Sequence, residues 1–202
     1  AGTLREYGLV FPTTENTPLT ITDINEARTA YMLSKIYGES MCINSMLPIT
    51  IIRPHNFYGP RMGLSHVIPE LMKKAIESEN SKIDVFSVNH KRTFCYIDDA
   101  VDAIQKLAES ENSIGKIYNI GDEEEEITME NLSKKIIKIV GKRLTINPLP
   151  STPGSPRRRC PSIAKLQNDI SYNKRFSLDV GLEKTFLWYN KFVFSGLEKS
   201  AI

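Results

Sequence analysis

Ile49-Thr-Ile-Ile-Arg53 stands between Pro48 and Pro54. A short β-branched run closed at both ends by prolines suits a strand buried on both faces, the kind found in parallel sheets. Before it lies a helical stretch, Ala27 to Leu47, with Ala30, Leu33, Tyr37 and Met41 on one side and Ile36 and Ile43 beside them. The alternation continues downstream. Helices are predicted over Val67 to Glu77, Asp99 to Ser110 (Val101, Ile104, Leu107 and Ala108 inward), Met129 to Val140, Ser162 to Asn168 and Leu178 to Val193. Strands are predicted over Ile83 to Ser87, Thr93 to Ile97, Ile117 to Ile120 and Thr145 to Leu149. Strands alternating with helices imply βαβ units and a parallel sheet, so the expected fold class is α/β.

Local signals support several boundaries. Pro69 sits in a first helical turn, where its missing N–H costs nothing. Asp98 and Asp99 suit the exposed N–H groups at a helix start, Thr128 reads as an N-cap, and Gly141 reads as a left-handed terminator. Ala1 to Glu26, Pro54 to Ser65 and Pro150 to Pro161 read as loops. Asp122 to Glu126 is an acidic run, of which Glu123 to Glu126 reads as a solvated loop before a helix.

The 202 residues carry a formal charge of +2, so no strong field argues for nucleic acid or a membrane surface. Cys42, Cys95 and Cys160 are few, odd in number and widely spaced. They form no disulfide framework and suit a reducing cytoplasm. No metal site is expected from these cysteines and the scattered His55, His66 and His90. No apolar run reaches the length of a membrane span, and without a basic segment followed by an apolar one no signal peptide is expected.

Three patterns carry candidate chemistry. Tyr31 and Lys35 are four residues apart, one turn along a helix face. An ammonium beside a phenol favours the phenolate, which makes a general base. The bare spacing also arises by chance in a chain with 8 tyrosines. Asn56 follows the buried strand, where parallel sheets open their ligand crevice, and it equally suits a turn. Arg92 and the run Arg157-Arg158-Arg159 offer forked guanidinium groups for phosphate; a solvated loop or a nucleic-acid patch are the other readings of the run.

Taken in order, these pieces resemble the extended short-chain dehydrogenase/reductase family, specifically its NAD-dependent nucleotide-sugar epimerases and dehydratases. The resemblance rests on Thr3-Leu-Arg-Glu-Tyr-Gly8, Tyr31-x-x-x-Lys35, Arg53-Pro-His-Asn-Phe-Tyr-Gly-Pro-Arg61, Val67-Ile-Pro69, Arg92-Thr-Phe-Cys-Tyr-Ile-Asp-Asp99, Tyr118-Asn-Ile-Gly121 and Gly154-Ser-Pro-Arg-Arg-Arg-Cys-Pro161. It implies the later part of a Rossmann-type parallel sheet over residues 1–120, with 59–93 inserted towards the substrate, and a smaller α/β substrate-binding region over 121–202.

The resemblance also implies roles. Thr3 would hydrogen-bond the sugar hydroxyl, Tyr31 would be the base, and Lys35 would lower the Tyr31 pKa and hold the nicotinamide ribose. Pro54 would border the cofactor, NAD or alternatively NADP. Asn56 would contact the substrate diphosphate, Val67 the nucleobase, and Arg92 and one of the arginine run, Arg158 by first choice, the phosphates. A nucleotide diphosphate sugar and a second copy of the chain are the implied partners.

Several departures qualify this. The sequence holds no Gly-x-Gly-x-x-Gly turn, so the part of the family that binds most of the cofactor is expected upstream of Ala1. The 202 residues alone are expected to bind NAD poorly, to be inactive and to aggregate. Leu4-Arg5 replaces the Asp-Glu of the dehydratases and the Ser-Glu of the decarboxylases, and Ser162 stands where Asp is common. These substitutions favour 4-epimerisation or keto-sugar reduction over dehydration and decarboxylation. A non-catalytic nucleotide-sugar-binding remnant is the alternative of a different class.

Overall fold

The computed structural model describes residues 11–19, 21, 23–26 and 29–195. Thr3, Leu4 and Arg5 therefore lie outside the described residues. The elements are α1 (Thr29–Ile43), β1 (Ile51–Pro54), β2 (Phe57–Tyr58), α2 (Val67–Glu77), β3 (Lys82–Phe86), β4 (Lys91–Arg92), β5 (Cys95–Tyr96), α3 (Ile97–Glu109), β6 (Ile117–Ile120), β7 (Ile127–Thr128), α4 (Met129–Val140), β8 (Thr145–Leu149), β9 (Arg158–Arg159), α5 (Ala164–Ile170) and α6 (Leu178–Tyr189). The helix expected over Leu178 to Val193 ends its α-helical part at Tyr189, and a π-helical turn, Asn190–Phe194, continues it.

The pairing is mostly parallel, as the strand–helix alternation implied. β1 runs parallel to β6, β2 to β5, and β3 to β8. β4 pairs antiparallel with β7 and parallel with β9. β1 ends where the chain turns through His55 and Asn56, and the His55 N–H donates to the Ile120 carbonyl at 2.9 Å.

Two apolar clusters hold the elements. The larger contains Tyr58, Ile68, Met72, Val85, Leu132, Ile136, Leu182 and Phe194 and packs α2, α4 and α6 around β3. The smaller contains Ala100, Ala103, Leu107, Tyr118, Ile120, Ile163, Leu166 and Tyr172 and packs α3 and α5 on β6. Gly181 is required where α6 crosses β2: a Cβ there would lie 2.0 Å from the Tyr58 hydroxyl oxygen.

Cap chemistry explains the best-defined ends. Thr128 Oγ1 accepts the Asn131 N–H at 3.1 Å, and Gly141 closes α4 at φ 78°. The helix expected to run to Leu47 stops at Ile43. Asn44 Nδ2 donates to the Ser40 carbonyl and Ser45 Oγ to the Cys42 carbonyl, satisfying terminal acceptors, and Met46 turns left-handed at φ 59°.

Three expectations are corrected. The apolar side of α1 faces outward: Leu33, Tyr37, Met41 and Ile43 are exposed, while Thr29 and Met32 are its buried residues. In α3, Val101 and Ala108 are exposed, and the inward face is Asp99, Ala100, Ala103 and Leu107, whose small alanines let α3 lie close to β5 and α5. Asp99 itself does not cap its helix; its two carboxylate oxygens accept the N–H groups of Arg175 and Phe176, both at 3.1 Å.

The acidic run is likewise not a solvated loop. Asp122 is 3% exposed and meets Lys174 at 2.6 Å, with Glu125 on the same ammonium at 2.7 Å. Glu125 also accepts the Leu178 N–H, Glu123 accepts the Ile163 N–H, and Glu126 meets Arg158. Burial opposes the Lys174 charge, but the hydrogen bonds to Asp122 and Glu125 outweigh it and its pKa is raised.

Candidate active site

The short strands build the site. In the β4–β9 ladder, Arg92 pairs with Arg159 and Lys91 with Arg158. Successive strand side chains point to opposite faces, so Arg92 and Arg159 share one face, and Lys91 and Arg158 the other. Both residues of the first pair line a cavity of about 510 Å3, together with Asn56 and Val67. Arg158 does not line it. Its Nε donates to Glu126 Oε1 at 2.6 Å and its guanidinium lies 4.7 Å from the centre of the Phe11 ring.

Asn56 sits in the left-handed region at φ 45°, which Asn tolerates better than most residues. Its amide nitrogen donates to the Thr93 carbonyl at 2.8 Å and its oxygen accepts from Arg159 Nη1 at 3.2 Å. Arg92 donates to the carbonyls of Lys91 and Pro156 and to Ser155 Oγ, tying the 150–157 loop to the cavity wall. The turn before β4 fastens the same loop: Thr152 N donates to Ser87 Oγ at 3.0 Å, and Ser151 Oγ lies 3.2 Å from His90 Nε2.

Val67, Leu71, Val85 and the 49% exposed Phe86 ring also line the cavity, and α2 and β3 add the charged Glu70, Lys74 and Asp84. Sequence reasoning held Arg159 only as one of three in the arginine run and did not name Phe86. The signal for Phe86 was the strand period: Ile83 and Val85 are buried, so Phe86 is an aromatic on the outward face of β3.

Beside Asn56, the His55 side chain is largely enclosed, with Nε2 3.2 Å from Asn119 Oδ1. Burial pulls its pKa down to about 4, against the Asn119 bond that favours the charged form; the Arg159 charge adds to the fall. Burial pushes the Cys95 thiol up to about 12 and the Cys160 thiol up to about 11, which leaves both as packing groups rather than nucleophiles.

Tyr31, Lys35 and Pro54 are not among the walls of this cavity. Tyr31 is 58% exposed on α1, and Lys35 Nζ lies 5.4 Å from the centre of its ring, one helical turn away. Pro54 is exposed at the carboxyl end of β1. An open phenol with an ammonium beside it fits a ribose and a reacting hydroxyl, so the residues present suit the nicotinamide end of a dinucleotide. A separate open groove of about 610 Å3 lies between α4 and α6, lined by residues such as Lys135, Asp179 and Phe186, and contains none of the residues singled out from the sequence.

The profile of the NAD dependent epimerase/dehydratase family matches residues 1–121. The chain belongs to that family. Among relatives, it is 27% identical over 183 residues to UDP-N-acetyl-alpha-D-glucosaminuronate decarboxylase of Bacillus cytotoxicus, covering 83% of this chain and 55% of that protein. The UDP-glucuronic acid 4-epimerase of Bacillus cereus, solved with UDP-glucuronic acid and NAD, superposes with a TM-score of 0.73 at 30% identity, covering 80% of this chain and 52% of the other. The dTDP-glucose 4,6-dehydratase of Bacillus anthracis, solved with NAD, gives 0.70 at 25% identity, covering 95% and 58%. The chain thus spans about half the length of the relatives it matches. The fold is the Rossmann-type α/β fold of these epimerases and dehydratases, and the family is one of NAD-dependent enzymes acting on nucleotide sugars.

Proposed function

We propose that this chain supplies the proton-transferring and nucleotide-sugar-binding part of an NAD-dependent nucleotide-sugar 4-epimerase. The observation that carries the substrate class is the convergence of Arg92, Arg159 and Asn56 in one cavity of ligand size. Two guanidinium groups and a fixed amide match a diphosphate, and Val67 with the half-exposed Phe86 ring offers a surface for a nucleobase. Arg159, rather than the first choice Arg158, is then the member of the arginine run that meets the phosphates.

In this reading Tyr31 removes the proton from the sugar 4-hydroxyl and later returns one to the same oxygen. Lys35, one helical turn from Tyr31, orients the ribose of the cofactor, with Pro54 beside it. Thr3 hydrogen-bonds the sugar hydroxyl. When bound, NAD accepts a hydride and gives it back. The outward apolar side of α1 supports pairing with a second copy, and three cysteines, none of them disulfide-bonded, support a cytoplasmic setting.

Decarboxylation of a nucleotide-linked uronic acid is the second reading, favoured by the Bacillus cytotoxicus relative. Both begin with the same proton removal and differ in the later steps at the sugar. The test is a product assay on protein expressed with whatever native sequence precedes Ala1, against UDP- and dTDP-linked hexoses and uronic acids. An epimer supports the first reading, and a pentose with released carbon dioxide the second. No turnover with any of them, together with no UDP binding, overturns the proposal.

A further inference from the structure

We infer that Arg53 and Glu39 form a positioning pair that sets the place of Tyr31 and Lys35 relative to the end of β1, an inference that rests on the role proposed for Tyr31. Arg53 is 9% exposed, on the strand that delivers Asn56. Its Nε donates to Glu39 Oε2 at 3.0 Å and its Nη2 to Glu39 Oε1 at 2.5 Å, a forked contact. Its Nη1 donates to the Glu15 carbonyl at 2.9 Å, so the guanidinium is fixed from a third side. The two side chains are 11% and 16% exposed, little enough for the attraction to escape screening by water.

Glu39 continues the row that begins with Tyr31 and Lys35, each step one helical turn. It stands eight residues, or roughly 12 Å, along the axis from Tyr31. Within the chain, Thr29 and Met32 are the buried residues of α1 and its apolar side faces outward, so the Arg53–Glu39 contact ties its later turns to β1. At its start Thr29 Oγ1 donates to the Asp23 carbonyl at 2.5 Å. A directional two-bond contact near the other end then limits how far α1 turns and slides relative to β1. A general base displaced by about 1 Å can lose about a hundredfold in rate.

The test uses protein expressed with whatever native sequence precedes Ala1. Spin labels on the exposed native Cys42 of α1 and on Gln105→Cys of the exposed α3 face report the placement of the helix by their distance distribution. Glu39→Ala should broaden that distribution and lower kcat between about ten- and about a hundredfold, while KM for the nucleotide sugar changes less than about threefold. If Glu39→Ala does not fold, Arg53→Met with Glu39→Leu replaces the pair by an apolar contact, which buried ion pairs commonly tolerate without loss of stability. The double variant should stay folded with the same broadened distances. An unchanged distribution overturns the inference whatever happens to kcat. A broadened distribution with unchanged kcat upholds the positioning of α1 and instead overturns the role given to Tyr31.

Discussion

Arg92 and Arg159 occupy paired positions on the parallel strands β4 and β9, and both face the same cavity. Their neighbours Lys91 and Arg158 point the other way. The strand register therefore divides an otherwise uniform Arg-Arg-Arg run into one residue at the cavity and one held by Glu126 and Phe11.

Arg159→Ala should weaken UDP binding, measured by calorimetry, by about 10- to 100-fold, the range of a charged hydrogen bond of about 1.5–3 kcal/mol. Arg158→Ala should change it by less than about threefold. Equal losses from both substitutions would refute the division of the run.

Tyr31→Phe should lower kcat by at least about a hundredfold, the lower end of general acid–base catalysis, and leave nucleotide-sugar binding nearly unchanged. Steady-state kinetics and calorimetry on the same preparation separate the two. Retained turnover would remove Tyr31 from the chemistry.

Lys174→Met leaves the buried Asp122 carboxylate without its cation and should cost about 3–5 kcal/mol in chemical denaturation. Asp122→Asn combined with Lys174→Met should cost clearly less than the single change, since the stranded charge is then gone. A double variant no better than the single one would mean that Asp122 is not an obligate partner.

His55 titrates in the folded protein near pH 4, below the ordinary 6.5 of an open histidine. The unfolded chain takes up the proton first as the pH falls, so His55 contributes stability that is complete above about pH 6.5 and is lost towards about pH 4. Urea midpoints across that window should fall less steeply for His55→Gln than for the parent protein. Parallel profiles would show that His55 is not buried in its neutral form.

Gly181→Ala should destabilise the protein by about 1–3 kcal/mol, as overpacking does, although alanine is the better helix former by about 1 kcal/mol. The Tyr58 hydroxyl occupies the space. Thermal or urea denaturation decides the sign, and a stabilised variant would contradict the crossing of α6 over β2.

The long elements were legible because their signals are local. Pro69, Thr128 and Gly141 mark helix ends by their own backbone chemistry, and α2 and α4 lie where periodicity put them. The two-residue strands were not legible. β9 was expected as loop, and the strand expected over Thr93 to Ile97 shrinks to β5 at Cys95–Tyr96, with the unexpected β4 at Lys91–Arg92 before it and Ile97 already in α3. Such strands exist through partners far along the chain, as Arg158 does opposite Lys91. The same holds for the site. Asn56 and Arg92 could be named from residue type and position, and Val67 from the family resemblance, and the three share a cavity. The choice between Arg158 and Arg159 needed a register that a sequence does not state. The outward apolar side of α1 was invisible for a related reason: periodicity shows that a helix has two faces, not which neighbour is available to either.

The four fastenings of the Asp122–Glu126 run have a consequence for descent. Each of Asp122, Glu123, Glu125 and Glu126 is bound to a different distant segment or shares one with its neighbour. A stretch whose composition suggests free drift is therefore tied to positions up to about fifty residues away. Lineages that lose Lys174 should also lose the charge at 122, and those that lose Arg158 should relax at 126, so the history of this loop should be written in pairs of changes rather than single ones.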